Sequence, residues 1–383
     1  MALLSSSHLA TDFAGGALPA LIPFLRERFS LSYTLVGVLV LASQASSSLV
    51  QPLFGLWSDR RGAMWLLPAG IALAGVGIAL AADAPRFWLV VLLVLVSGLG
   101  IAAFHPEGSK FAGYVSGRRR ASGMSFFSIG GNLGYAIGPI VATVVVHHFG
   151  LRGGFLLALP CLAVAAAVVA LGPYLREFVP DRRSMAARAG DDDRRAMALL
   201  LGLVVCRTIP WFGLIAFVPL WEVHLGHSKA YGNRMLALML FAGGVGTLVM
   251  GQLADRIGRR AVMLGSITLA SPLMILFLTV GGAPGAIALA LVGACVVGTY
   301  GVTMVMSQEY LPGHVGMASG LSIGLSVGLG GVAAVGVGRL ADLTSLRTAL
   351  LATALTPLPG IVLAWLLPTP RGGPVYEAEL VVP

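Results

Sequence analysis

The sequence is poor in charge. Only 11% of its 383 residues are Asp, Glu, Lys or Arg, where a soluble domain carries about a quarter. That shortage excludes a water-bathed surface for most of the chain. Cysteine is scarce as well: Cys161, Cys206 and Cys295 lie in separate apolar runs. No disulfide framework or cysteine metal motif is expected from them, and each reads as a small core residue. No Walker lysine segment is present, which excludes ATP as the energy source. Polar stretches are short, the longest being residues 176–195, which leaves no soluble output domain for a sensor or scaffold. His147 with His148, and His224 with His227, have no two further ligands close by, so neither a metal centre nor a cofactor is expected. The net charge of +9 comes from arginines scattered between apolar segments, not from one basic face, so nucleic acid is excluded as a partner. The opening "MALLSSSHLA" lacks a basic region and the next apolar run contains Asp12; no cleavable leader is expected.

What the chain has is oil. Hydrophobic residues make up 57% of it and the mean hydropathy is +0.89. Its 51 glycines and 21 prolines sit inside apolar runs, where glycine permits close helix contact and proline kinks are tolerated. A helix crossing a bilayer needs about 20 apolar residues. Twelve segments qualify: 6–25, 33–56, 63–82, 87–112, 121–147, 153–173, 196–221, 233–254, 261–281, 285–309, 318–340 and 347–367. The expected organisation is a six-helix bundle over 1–175, a cytoplasmic linker over 176–195, a second six-helix bundle over 196–367 and a cytoplasmic tail over 368–383. With the first residue inside, sixteen Lys and Arg fall on inner loops and eight on outer ones; this bias places both termini in the cytoplasm.

The halves repeat. "GLWSDRRG" from Gly55 returns as "GQLADRIGRR" from Gly251, 196 residues on, and "ASGMS" from Ala121 returns as "ASGLS" from Ala318, 197 residues on. Two features at nearly one spacing, each after a matching number of spans, indicate a parallel duplication of six plus six helices.

At this point the chain resembles the major facilitator superfamily, whose signature loop is Gly-x-x-x-Asp-Arg-x-Gly between the second and third spans. "HLATDF", "LASQASSSLVQPLFGLWSD", "FHPEGSKFAGYVSG", "GGNLGYAIGP" and "QEYLPGHVGMASGLSIGLSVGLGGVAAVGVGRLADLTS" narrow the resemblance to its fosmidomycin-resistance branch. That resemblance implies the two-bundle major facilitator fold and proton-driven antiport of a small drug-like or anionic solute such as fosmidomycin. It also implies a bacterial inner membrane setting, with protons, the solute and the bilayer as partners and a monomer as the unit. A proton symporter importing an organic anion and a lipid flippase share the fold and stay open as alternatives.

The candidate site residues follow from charge in apolar surroundings. A charge in the bilayer costs a few kcal/mol or more unless paired or facing water. His8 and Asp12 share a face of span one at i, i+4. His105, Glu107 and Lys110 lie on span four, Arg207 on span seven, and Glu309 ends span ten. In the resembled fold these four spans line the central cavity. Asp12, His105 and Glu107 are read as proton-coupling groups, with a solvated helix end as the alternative for Asp12. Pro106, which lacks an N–H, is expected to open the helix beside His105 and Glu107. Arg207, where the resemblance leads one to expect lysine, is read as binding an anionic group; its alternative is a salt bridge to Asp12 or Glu107. Gln44, Ser46, Ser47, Ser48, Gln51 and Asn132 are read as lining the pathway or hydrogen-bonding to a neighbouring helix. Asp59, Arg60, Asp255, Arg256 and Arg259 are read as gate residues of the two signature loops, against plain positive-inside anchoring. Lys110 and Glu309 are read as inner-gate partners or plain interface residues. Gly130, Gly134 and Gly138, with Pro139, form a small-residue groove for another helix, as the resembled antiporter motif does.

Overall fold

Hydrocarbon offers backbone groups no partners, so each apolar run must satisfy its own N–H and C=O groups, and a helix does so. In the computed structural model all regular structure among the described residues is helical. It describes residues 1–61, 63–116, 120–178, 192–312 and 315–368; the side chains of 59–61, 120–122, 315–317, 319–320 and 323–327 stand outside the description. Asp59 and Arg60, most of the predicted linker and nearly all of the predicted tail therefore lie outside the described residues.

The first half comprises α1 (Ala2–Phe29), α2 (Tyr33–Gln44), α3 (Gln51–Arg61), α4 (Leu66–Asp83), α5 (Phe87–Ser116), α6 (Arg120–Phe149), α7 (Ala158–Ala170) and the short α8 (Gly172–Arg176). The second comprises α9 (Arg194–His224), α10 (Lys229–Ile257), α11 (Arg259–Thr279), α12 (Gly282–Gly298), α13 (Tyr300–Tyr310), α14 (Val315–Leu343), α15 (Leu346–Leu355) and α16 (Pro357–Leu366). Among the described residues ten helical segments are long and apolar enough to cross a membrane. The long helices α1 and α14 run beside them, which makes twelve passes among the described residues. The pairs α2–α3, α12–α13 and α15–α16 each make one pass.

The start of α1, the end of α16 and the ends of α8 and α9 that flank the linker lie on one face, here the terminal face; the opposite face is the loop face. The duplication is written into the helix starts. Ser32 accepts a hydrogen bond from the Leu35 N–H at the head of α2. Ser228 does the same for Tyr231 at the head of α10, 196 residues on. Both serve as N-caps for otherwise orphan donors. In the second signature loop Gly258 has φ 92°, a left-handed value that lets α10 turn straight into α11 and that a side chain would strain.

The cores show how the halves meet. One apolar cluster draws only on the first half, from Leu4 to Leu175. A second, near the terminal face, draws only on the second half, from Ala196 to Leu367. A third crosses the seam, packing Ile22, Val36, Val40 and Ala136 against Trp211, Phe217 and Ala334. Small residues permit the approach: a Cβ on Gly37 would sit 2.5 Å from the Ala334 carbonyl, and one on Gly338 only 2.2 Å from that of Tyr33. The fourfold glycine stripe of α6 packs inside the first half instead. A Cβ on Gly130, Gly134 or Gly138 would lie 2.2, 2.1 or 2.7 Å from the carbonyls of Ser5, Leu9 and Phe13 on α1. Pro139 follows within α6.

Three polar tethers cross the seam towards the loop face. Lys229 pairs with Glu27. The Asn233 amide donates to the Ala20 carbonyl at 3.0 Å and to the Thr143 hydroxyl at 2.7 Å. Asp342 accepts from the backbone of Tyr33 and Thr34 at 2.8 and 2.9 Å.

Candidate functional site

A polar stretch in an apolar helix has to turn its side chains back on the backbone or towards water. Residues 44–51 do both. Between α2 and α3 the helix widens into a π turn over Ala45–Leu49, a distortion that re-aims side chains. Ser46 turns inward and donates to the Ala42 carbonyl at 2.8 Å. A Cβ on Gly98 of α5 would come within 1.8 Å of its oxygen, so the bare glycine lets α5 rest on the turn. Ser43, Gln44, Ser47, Ser48 and Gln51 then face a cavity of about 310 Å³, closed by Asp12, Gly15, Ile101, His105, Tyr135, Trp211 and Phe212. The walls come from α1, α5 and α6 as well as α9, so the cavity lies between the halves.

Its charged wall is a single carboxylate held between two imidazoles. Asp12 Oδ2 lies 3.2 Å from His8 Nε2, and Asp12 Oδ1 lies 3.3 Å from His105 Nε2. Each ring is pinned through its other nitrogen: His8 Nδ1 meets the Phe127 carbonyl at 2.9 Å, and His105 Nδ1 meets that of Ile101 at 2.9 Å. His8 also stacks on Phe127 and stands edge-on to His105. Asp12 is thus no solvated helix end. It lies ten residues into α1, about 15 Å along it.

Glu107 does not join this group. Residues two apart on a helix point about 200° from each other, so Glu107 faces α3 while His105 faces the cavity. Its carboxylate is buried, accepts from the Ser58 hydroxyl and lies 3.4 Å from Lys110 Nζ. Lys110 also donates to Ser58. Pro106 leaves α5 continuous from Phe87 to Ser116, contrary to a local opening of the helix: its ring packs towards Gly55.

Arg207 is buried, with 2% of its surface exposed. The expected alternative of a salt bridge to Asp12 or Glu107 is not formed. Instead Nη1 donates to Thr299 and Thr303 at 2.9 Å each, and the guanidinium lies 4.4 Å over the Tyr300 ring. Its Nε and Nη2 have no hydrogen-bond partner among the described residues. It stands one turn before Trp211, which lines the cavity.

The remaining candidates are spread out. Asn132 lies away from the central cavity, in a lateral groove with Ile129, Leu133, Phe241 and Gly244. Asp255 and Arg256 are exposed at the terminal-face end of α10. Arg259 pairs with Glu309 within the second half, so Lys110 and Glu309 each have a partner on their own side of the seam. Sequence reasoning passed over Tyr135 and Trp211, whose only signal was their place on spans five and seven. His8 was read as sharing the face of Asp12 without a role of its own.

The profile of the Major Facilitator Superfamily matches residues 4–232 and 200–380. An uncharacterized MFS-type transporter, YfnC, of Bacillus subtilis is 31% identical, with 96% of this chain and 92% of that protein covered. The fosmidomycin resistance protein of Escherichia coli is 30% identical, covering 95% of this chain and 91% of that protein. Among solved structures, a bacterial homolog of the human lysosomal transporter Spinster superposes with a TM-score of 0.76 at 13% identity, covering 95% of each chain. The nucleoside transporter NupG gives 0.73 at 14% identity, covering 95% of this chain and 96% of that one. The chain belongs to the Major Facilitator Superfamily and is a multi-pass membrane transporter, not an enzyme.

Proposed function

We propose that the chain exports a small drug-like or anionic solute, of which fosmidomycin is one example, in exchange for protons, by alternating access across a bacterial inner membrane. The observation that carries this is Asp12 of the cavity wall, set between His8 and His105. A carboxylate and two imidazoles within one cluster can take up and release a proton as the cavity changes face. The chain itself, as a monomer, supplies every residue named, and the proton gradient is the energy source. Both termini and the terminal face are cytoplasmic in this reading, which the arginine bias supports.

The anionic end of the solute is drawn by Arg207. A buried guanidinium with two nitrogens unpartnered, Nε and Nη2, suits a carboxylate or phosphonate once the halves rock and Tyr300 moves aside. Gln44, Ser47 and Gln51 supply neutral hydrogen bonds on the facing wall. Glu107 with Lys110, and Glu309 with Arg259, act as anchors of the terminal-face ends, where pairs broken and re-formed between states make a gate. The similarity to the fosmidomycin resistance protein favours efflux over uptake.

The test is transport in proteoliposomes. An imposed pH difference is the sole driving force, and labelled fosmidomycin and a panel of phosphonates, carboxylates and cationic dyes are offered in turn. Accumulation of a solute against its gradient, abolished by Asp12→Asn, supports the reading. Accumulation that ignores the pH difference refutes proton exchange.

A further inference from the structure

The cluster on the cavity wall has a second chemical capacity. We propose that His8, Asp12 and His105 bind a divalent transition-metal ion of the borderline-soft class, such as Zn²⁺ or Co²⁺. The proposal stands on the placement of ligand atoms and on the space left between them. It goes beyond the transport reading and does not depend on it.

One ligand atom from each residue lies within 4.8 Å of the other two. Ligands bound at roughly 2.0–2.2 Å from a tetrahedral ion stand about 3.5 Å apart. The Asp12 oxygens are 3.2 and 3.3 Å from the two Nε2 atoms, so a small inward tilt of the two rings completes the set. The rings are turned the right way. Each Nδ1 faces a main-chain carbonyl, which can only accept, so that nitrogen carries the hydrogen. In the neutral imidazole each Nε2 therefore presents a lone pair towards Asp12. A positive charge, a proton on Nε2 or a metal ion between the groups, relieves the repulsion between those lone pairs and the carboxylate. Ligating histidines are held in this way by the carbonyl behind them.

Room has been left for the ion. A Cβ on Gly131 of α6 would come within 2.4 Å of His8 Nε2 and 2.7 Å of Asp12 Oδ2. The backbone of α6 thus borders the cluster with no side chain in the way. The three side chains are 12 to 22% exposed and two of them line the cavity, so an ion can enter and keep open positions for water. Two imidazoles and one carboxylate select Zn²⁺, Co²⁺ or Ni²⁺ over Mg²⁺ and Ca²⁺, which take oxygen ligands.

The test uses the full chain, purified in detergent without a histidine tag and stripped of metal. Co²⁺ is titrated while its visible d–d absorption is recorded, and Zn²⁺ is then added in competition. One Co²⁺ per chain, displaced by Zn²⁺ but not by a hundredfold excess of Mg²⁺, is expected. Asp12→Asn and Gly131→Ala should each weaken binding about tenfold or more. Gly131→Ala keeps all three ligand residues but pushes the His8 ring and the Asp12 carboxylate out of position, and His105→Gln substitutes for either variant that does not elute as a folded monomer. Replacing both His147 and His148 by Gln should leave the titration unchanged. Absence of the Co²⁺ band in the parent overturns the proposal, as does binding that survives the cluster variants or is lost with His147 and His148. Solute accumulation measured in metal-free buffer tests the transport reading separately, so either can fail alone.

Discussion

Asp342 of α14 caps a helix that belongs to the other half of the molecule. Its carboxylate accepts the Thr34 N–H at 2.9 Å and the Thr34 hydroxyl at 2.6 Å, and takes the Tyr33 N–H as well, at 2.8 Å. The head of α2 therefore has two caps, its own Ser32 and this borrowed carboxylate. Opening the loop face must strip the second one and leave orphan N–H groups at a helix start. A charge-assisted cap makes the loop-face closure a discrete state.

Removing that cap should loosen the closure. Asp342→Ala is expected to cost the closed state roughly 1 kcal/mol, the usual worth of a cap. A cysteine placed at Val36, which is fully buried at the seam, should then react with a maleimide several-fold faster than in the parent. An unchanged labelling rate would show that the apolar seam alone holds the face shut.

Arg207→Met separates function from stability. A buried guanidinium whose Nε and Nη2 lack partners carries a desolvation cost that a thioether of similar length does not. Thr303 keeps its bond to the Thr299 carbonyl at 2.8 Å without the arginine. The expected outcome is a melting temperature equal to or above the parent's, with transport of anionic solutes lost. A sharp fall in melting temperature would instead make Arg207 structural.

Glu107 and Asp12 should part company under mutation. Asp12→Asn is expected to end pH-driven accumulation while retaining solute binding. Replacing Glu107 by Gln and Lys110 by Met together removes both members of a buried pair and should leave pH-driven accumulation within about threefold of the parent, since removing both partners avoids stranding a charge. If the double variant loses the pH response and binding persists, the coupling proton sits on Glu107.

The glycine stripe of α6 predicts a contrast within the repeat. Gly134→Val forces a side chain into the Leu9 carbonyl of α1, where even a Cβ would sit at 2.1 Å, and should abolish recovery of monodisperse protein. Gly336→Ala, in the corresponding helix of the second half, meets nothing within 4 Å and should be neutral. Size-exclusion profiles of the two variants decide it.

How much of this was legible before folding varies by residue. The passes were legible because the bilayer fixes the length of an apolar run, and the duplication because Gly55 and Gly251 keep their spacing. His8 and Asp12 were legible as a pair because four residues is one turn. The grouping of His105 with Glu107 was misleading, since adjacency in sequence places them on opposite sides of α5. Asn132 reads from its motif as lining the pathway or bonding a neighbouring helix, and the rotation of α6 puts it in a lateral groove.

The sequence by itself determined that the chain lies in a membrane, crosses it twelve times in two related halves and keeps few charges inside. Those follow from local quantities: run length, spacing and the cost of burying an ion. Only the tertiary structure decided which charges meet. The angular setting of each helix turned His105 towards Asp12, gave Glu107 to Lys110, set Arg207 over Tyr300 and lent Asp342 to α2. Such settings are fixed by packing between distant helices, through bare glycines at Gly37, Gly98 and Gly134, and no local pattern encodes them.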